Sequence, residues 1–129
     1  PHTREEKNQT YFEAPAGMPL VQHALLSLLE HMSIETVVQK TAHAPATLFD
    51  VKERGFLHEG YWADIVLIDP NQTTVIDEEP ILSKCGWSPF SGTTFGSRIT
   101  HTFVNGYIVY EDGQITAPKI GMPLEFDRA

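Results

Sequence analysis

The chain has 129 residues, enough for one domain with a core, and 41% hydrophobic with 10% aromatic residues is ordinary globular material. Nine basic residues against seventeen acidic ones leave a net charge of -8. That balance argues against a general affinity for nucleic acid or an anionic membrane surface, since both need clustered Lys and Arg.

In chain order, residues 1–18 read as a loop punctuated by Ala14-Pro-Ala-Gly-Met-Pro19. A helix over 20–32 follows, because Leu20, Val21, Ala24, Leu25, Leu28, Leu29 and Met32 recur at helical spacing on one broad face. Ser33 is an N-cap for a second helix carrying Val37 and Val38. Pro45 sits inside the first turn of a third helix at roughly 44–51, which Gly55 ends. The architecture then changes at Gly60-Tyr-Trp-Ala-Asp-Ile-Val-Leu-Ile-Asp-Pro70, a short apolar run closed by Asp69-Pro70. Its pattern is that of a strand buried on both faces, or of one pairing into the middle of a sheet.

Beyond it everything reads β. Thr73–Ile76 is a β-branched run, and residues 77–97 form an ordered irregular segment carrying Trp87, Phe90 and Phe95. Arg98–Val104 and Tyr107–Tyr110 flank Asn105-Gly106, a strong hairpin signal because both central residues take positive φ. Asp112-Gly113 makes a second turn, and the chain closes in Gly121-Met-Pro-Leu-Glu-Phe-Asp-Arg128. Three helices and a small open sheet leave a helix face and strand edges in need of partners.

Composition and spacing reveal no catalytic set. The six histidines include no His-Glu-x-x-His arrangement and no metal-ligand spacing. His23 and His31 read as surface or half-buried helix residues, and His101 as a cross-strand residue. Cys85 reads as a buried small residue, and Glu78-Glu79 as a solvated turn. One cysteine excludes an internal disulfide and fits a reducing cytoplasm.

Specific strings go further. Pro1-His2-Thr3-Arg4-Glu5-Glu6-Lys7, followed by Ala14-Pro-Ala-Gly-Met-Pro-Leu-Val-Gln-His23, resembles the end of the Asp-His-Ala-Pro-His motif of dihydroorotases and the loop after it. Thr41–Phe49 is similar to that family's Pro-Ala-x-x-Phe helix. Gly60-x-x-Ala-Asp-Ile-Val-Leu-Ile-Asp69 is similar to the segment that leads amidohydrolase chains out of their barrel. Lys84-Cys-Gly-Trp-Ser-Pro-Phe90, Phe103-Val-Asn-Gly106 and the closing string resemble dihydroorotase C-terminal signatures.

The resemblance implies an α/β fold: the C-terminal part of a TIM (β/α)₈ barrel in residues 1–59, then the C-terminal strands of a small β-sandwich in 60–129. It implies reversible ring closure of N-carbamoyl-L-aspartate to L-dihydroorotate in pyrimidine synthesis. A hydroxide activated by one or two Zn²⁺ attacks the ring amide, with a carboxylate as proton shuttle. The metal ligands and catalytic groups would lie upstream, leaving none in this chain and making it inactive alone. His2 matches the motif's final His, whose implied role is to hold the substrate carboxylate. Ala16 and Gly17 match the loop whose backbone meets the pyrimidine ring, with Gly permitting close approach. The implied partners are the rest of the polypeptide, a small-molecule substrate and a second copy in a homodimer. A non-catalytic scaffold subunit for a transcarbamoylase and a related dihydropyrimidinase or allantoinase are the alternatives.

Overall fold

The computed structural model describes residues 2–116 and 120–127; Pro1 and Arg128, the outer ends of two of the strings above, lie outside the described residues. The segment expected to be a loop over 1–18 contains a short helix, α1 (Arg4–Lys7). Thr3 accepts from the Glu6 backbone N–H while the Glu6 carboxylate accepts from the Thr3 N–H, a reciprocal capping box. The helix expected over 20–32 is shorter: α2 covers Ala24–Leu29, with turns on either side. The residue it buries is Leu26, which lies outside the expected apolar face, while Val21 of that face is 96% exposed.

Ser33 caps α3 (Ile34–Val38) through its hydroxyl, as expected. The second and third helices, however, are not separate. A π turn at Gln39–His43 joins α3 to α4 (Ala44–Leu48) without a break. Pro45 lacks an N–H, and its ring crowds the carbonyl one turn back; a widened turn accommodates both effects. The helix stops at Leu48, well before Gly55, as Asp50 takes φ 53°. There the chain meets its own tail: Val51 bridges to Phe126, and the Lys52 and Asp127 backbone N–H groups donate to Glu125 and Asp50.

Four strands, β1 (Ile65–Asp69), β4 (Arg98–Val104), β5 (Tyr107–Glu111) and β6 (Gln114–Ile115), form an antiparallel sheet in the order β1-β4-β5-β6. β2 (Thr74–Val75) and β3 (Thr94–Phe95) pair separately. The strand expected to be buried on both faces lies at the edge instead, with Val66 and Leu67 more than 40% exposed. Its apolar run lacks a second neighbour and a covering layer among the described residues. Both expected turns are present, with positive φ at Asn105, Gly106, Asp112 and Gly113.

The core is Leu26, Ile76 and Phe95, with Ile81, Phe90 and Ile99 packed around it. Thus α2 buries the side that carries Leu26 against the β2–β4 region. Among the described residues no helix is long and apolar enough to cross a membrane.

Candidate functional site

His2 is exposed and stands immediately before the Thr3 cap of α1. Its imidazole Nδ1 lies 3.8 Å from the Glu6 carboxylate, and its carbonyl accepts from the Trp87 indole Nε1–H at 2.8 Å. The Thr3 backbone N–H, and after it the Thr3 hydroxyl, hold the Glu6 carboxyl below its usual pKa. At the far end of α1, the Lys7 ammonium donates to the Pro15 carbonyl and ties the following loop to the helix. Ala16 and Gly17 are exposed in that loop, and Gly17 has φ 97° with open space around it. α1 therefore carries the two parts at its opposite ends, and no hydrogen bond joins His2 to Ala16 or Gly17.

The Lys84–Phe90 string is a strap between the N-terminal segment and the core. Ser88 is buried, with its hydroxyl 3.2 Å from His23 Nδ1 and accepting from the Phe90 N–H. Phe90 packs edge-on against both His23 and Phe95. Cys85, expected to be buried, is half-exposed because the strap lies on the surface there. A hydrogen bond with the Ser83 hydroxyl holds its thiol below its ordinary pKa.

His23 is neither at the surface nor half-buried, the two positions expected for it, but only 2% exposed. The local signal was its position three residues before Leu26, on the face that packs inward; the partner, Ser88, is 65 residues away. Its Nε2 is buried without a hydrogen-bond partner among the described residues. Burial lowers its pKa, outweighing the upward pull of Glu79. The unfolded chain therefore takes up a proton that the folded chain resists once pH falls below about 6.5. Stability from this group is fully present above that value and declines as pH drops toward the depressed folded pKa. Urea midpoints of His23→Gln should fall less steeply with acidification than those of the parent sequence; parallel slopes would refute the assignment.

His101 behaves as a cross-strand residue, with Nε2 3.4 Å from the Glu111 carboxylate of the paired position. A cleft of ≈ 810 Å³ opens between α2 and the sheet, lined by His23, Leu26, Ile99, Val109, Tyr110 and Ile115 among others. It begins at Met18 and does not include His2, Ala16 or Gly17. No cluster of three or more His, Cys, Asp or Glu side chains able to hold a metal ion occurs among the described residues.

No protein-family model matches the chain. It is 35% identical over 118 residues to a dihydroorotase of Clostridium acetobutylicum, covering 87% of this chain and 28% of that protein. A dihydroorotase of Halobacterium salinarum is 36% identical over 122 residues, covering 91% of this chain and 29% of that protein. An allantoinase of Desulfitobacterium hafniense is 29% identical over 124 residues, with 92% and 28% covered. The chain thus spans under a third of the length of these relatives. Among solved structures, a D-hydantoinase (dihydropyrimidinase) from Thermus sp. superposes with a TM-score of 0.77 at 22% identity, over 92% of this chain and 28% of that one. That likeness gives the fold, part of the α/β amidohydrolase architecture. By sequence and by fold, the chain belongs with the dihydroorotase-like cyclic amidohydrolases and corresponds to their C-terminal portion.

Proposed function

We propose that this chain is the C-terminal part of a zinc-dependent dihydroorotase, with residues 1–59 completing the catalytic barrel and 60–129 contributing to the β-sandwich. The full polypeptide would interconvert N-carbamoyl-L-aspartate and L-dihydroorotate in pyrimidine synthesis. The described residues offer no donor set that fits zinc. One or two ions would be held by preceding residues, and no step through them falls to this chain. Alone, the chain is inactive on this reading.

This chain's own contribution is binding. The observation that carries the reading is His2, whose imidazole is exposed and whose backbone is held at the head of α1, its carbonyl accepting from Trp87 beside the Thr3 cap. Such a ring can donate a charge-assisted hydrogen bond to a carboxylate that leaves water. Ala16 and Gly17 would present backbone groups to the ring, with Lys7 holding their loop through Pro15. Identity to the dihydroorotases, at 35% and 36%, supports this choice over the allantoinase at 29%.

Replacing His2 by alanine in the full-length enzyme tests it. A bond to a charged group is worth about 2 kcal/mol, so KM for dihydroorotate should rise roughly thirtyfold. Turnover of dihydrouracil, which lacks the carboxylate, should be unaffected. Equal losses on both rings would exclude the carboxylate-binding role.

A further inference from the structure

We propose that Trp87 is a positioning residue for His2, an inference that rests on the carboxylate-binding role just given. His2 lies outside any helix, and its side chain has one described contact, the 3.8 Å approach to Glu6. Both groups are about half exposed, and an ion pair of that kind holds a side chain only weakly. The bond that fixes the origin of the ring is the one to its own carbonyl, which accepts from the Trp87 indole at 2.8 Å across 85 residues of sequence.

The backbone that carries the donor is held on both sides. Gly86, at φ 69°, turns the strap, and its N–H donates to the Ser83 carbonyl. The residue after Trp87 is Ser88, 6% exposed and bonded to the buried His23, whose ring abuts Phe90. A hydrogen-bond donor one residue from a buried anchor loses little freedom when it engages, so its direction is set before substrate arrives. The core pair His23–Ser88 is thereby coupled to the position of His2 through a single indole N–H. The strap connects the core to the residue that meets the carboxylate, while Trp87 itself does not touch substrate.

The test uses the full-length enzyme carrying Trp87→Phe, and in parallel an isosteric replacement of Trp87 by 3-benzothienylalanine, which exchanges only the N–H for sulfur. The isostere keeps the ring volume, so it answers even if the Phe variant folds poorly. KM for dihydroorotate should rise roughly fivefold with kcat changed by less than about twofold and the melting temperature unchanged. Dihydrouracil kinetics should not move, and in a His2→Ala background the isostere should add no further loss. Should His2→Ala raise KM while the isostere leaves it unaltered, the positioning role is wrong and the His2 reading stands. Should His2→Ala itself have no effect, both fail. Losses on both rings, or losses that add to those of His2→Ala, would make Trp87 a purely structural residue and overturn the proposal.

Discussion

Replacing Gly55 by alanine is expected to destabilise the chain by about 3 kcal/mol, far more than the same change at Gly60. Both glycines have strongly positive φ, 81° and 86°. An alanine in that region costs about 1 kcal/mol in backbone strain. The difference lies in the surroundings. A Cβ on Gly60 meets nothing within 4 Å, whereas on Gly55 it would lie 2.4 Å from Ala46 Cβ and 2.9 Å from the Ala42 carbonyl oxygen. Ala46 is buried, and Ala42 belongs to the π turn, so neither can retreat without disturbing the helical run. Overpacking of this kind adds about 2 kcal/mol. Urea unfolding of the two variants separates strain from contact, because Gly60→Ala carries only the first. Adding Ala46→Gly should recover part of the Gly55→Ala loss. Comparable midpoints for the two glycine variants would mean that the close approach of 55 to α4 carries no weight.

What could be read from the sequence was what local chemistry decides. Asn105-Gly106 and Asp112-Gly113 specify their turns because few residues tolerate positive φ in succession, and the Ser33 cap follows from one hydroxyl and the next N–H groups. Thr3-x-x-Glu6 was equally local, yet a polar segment without apolar period conceals so short a helix. The remaining differences depend on distant partners. The inward turn of His23 depends on Ser88, and the edge position of β1 on which strands are present to pair with it. Pro45 normally marks a boundary, but a π turn absorbed it, an outcome that spacing alone does not encode. For the candidate site, family strings pointed to His2, Ala16 and Gly17. The tethers that hold them, Trp87 to His2 and Lys7 to Pro15, became visible only once the chain was folded.

The second large effect is expected at Arg54, where substitution by methionine should cost about 3 kcal/mol. Arg54 is 9% exposed, and one guanidinium nitrogen is paired with Asp64 while the other donates to the Asn105 side-chain oxygen at 2.9 Å. The plane also lies over Trp62, 5.4 Å from the ring centroid. The second Asp64 oxygen accepts from the Asn105 backbone N–H, and the Asn105 amide donates to the Ile120 carbonyl. One cation therefore ties the helix exit to the start of β1, to the β4–β5 turn and to the chain's tail. Methionine keeps the stem's packing and removes every donor, which leaves the Asp64 carboxylate and the Asn105 oxygen short of partners. Because the Asp64 side chain is 35% exposed, water recovers part of the loss, and the cost stays at the low end for a broken buried pair. Asp64→Asn retains an acceptor for the turn and should cost only about 1 kcal/mol. Since both changes disrupt one network, the double variant should lose less than the sum of the singles. Strict additivity, or a loss under about 1 kcal/mol for Arg54→Met, would show that the turn at Asn105-Gly106 stands on its own backbone preferences and owes nothing to the guanidinium beneath it.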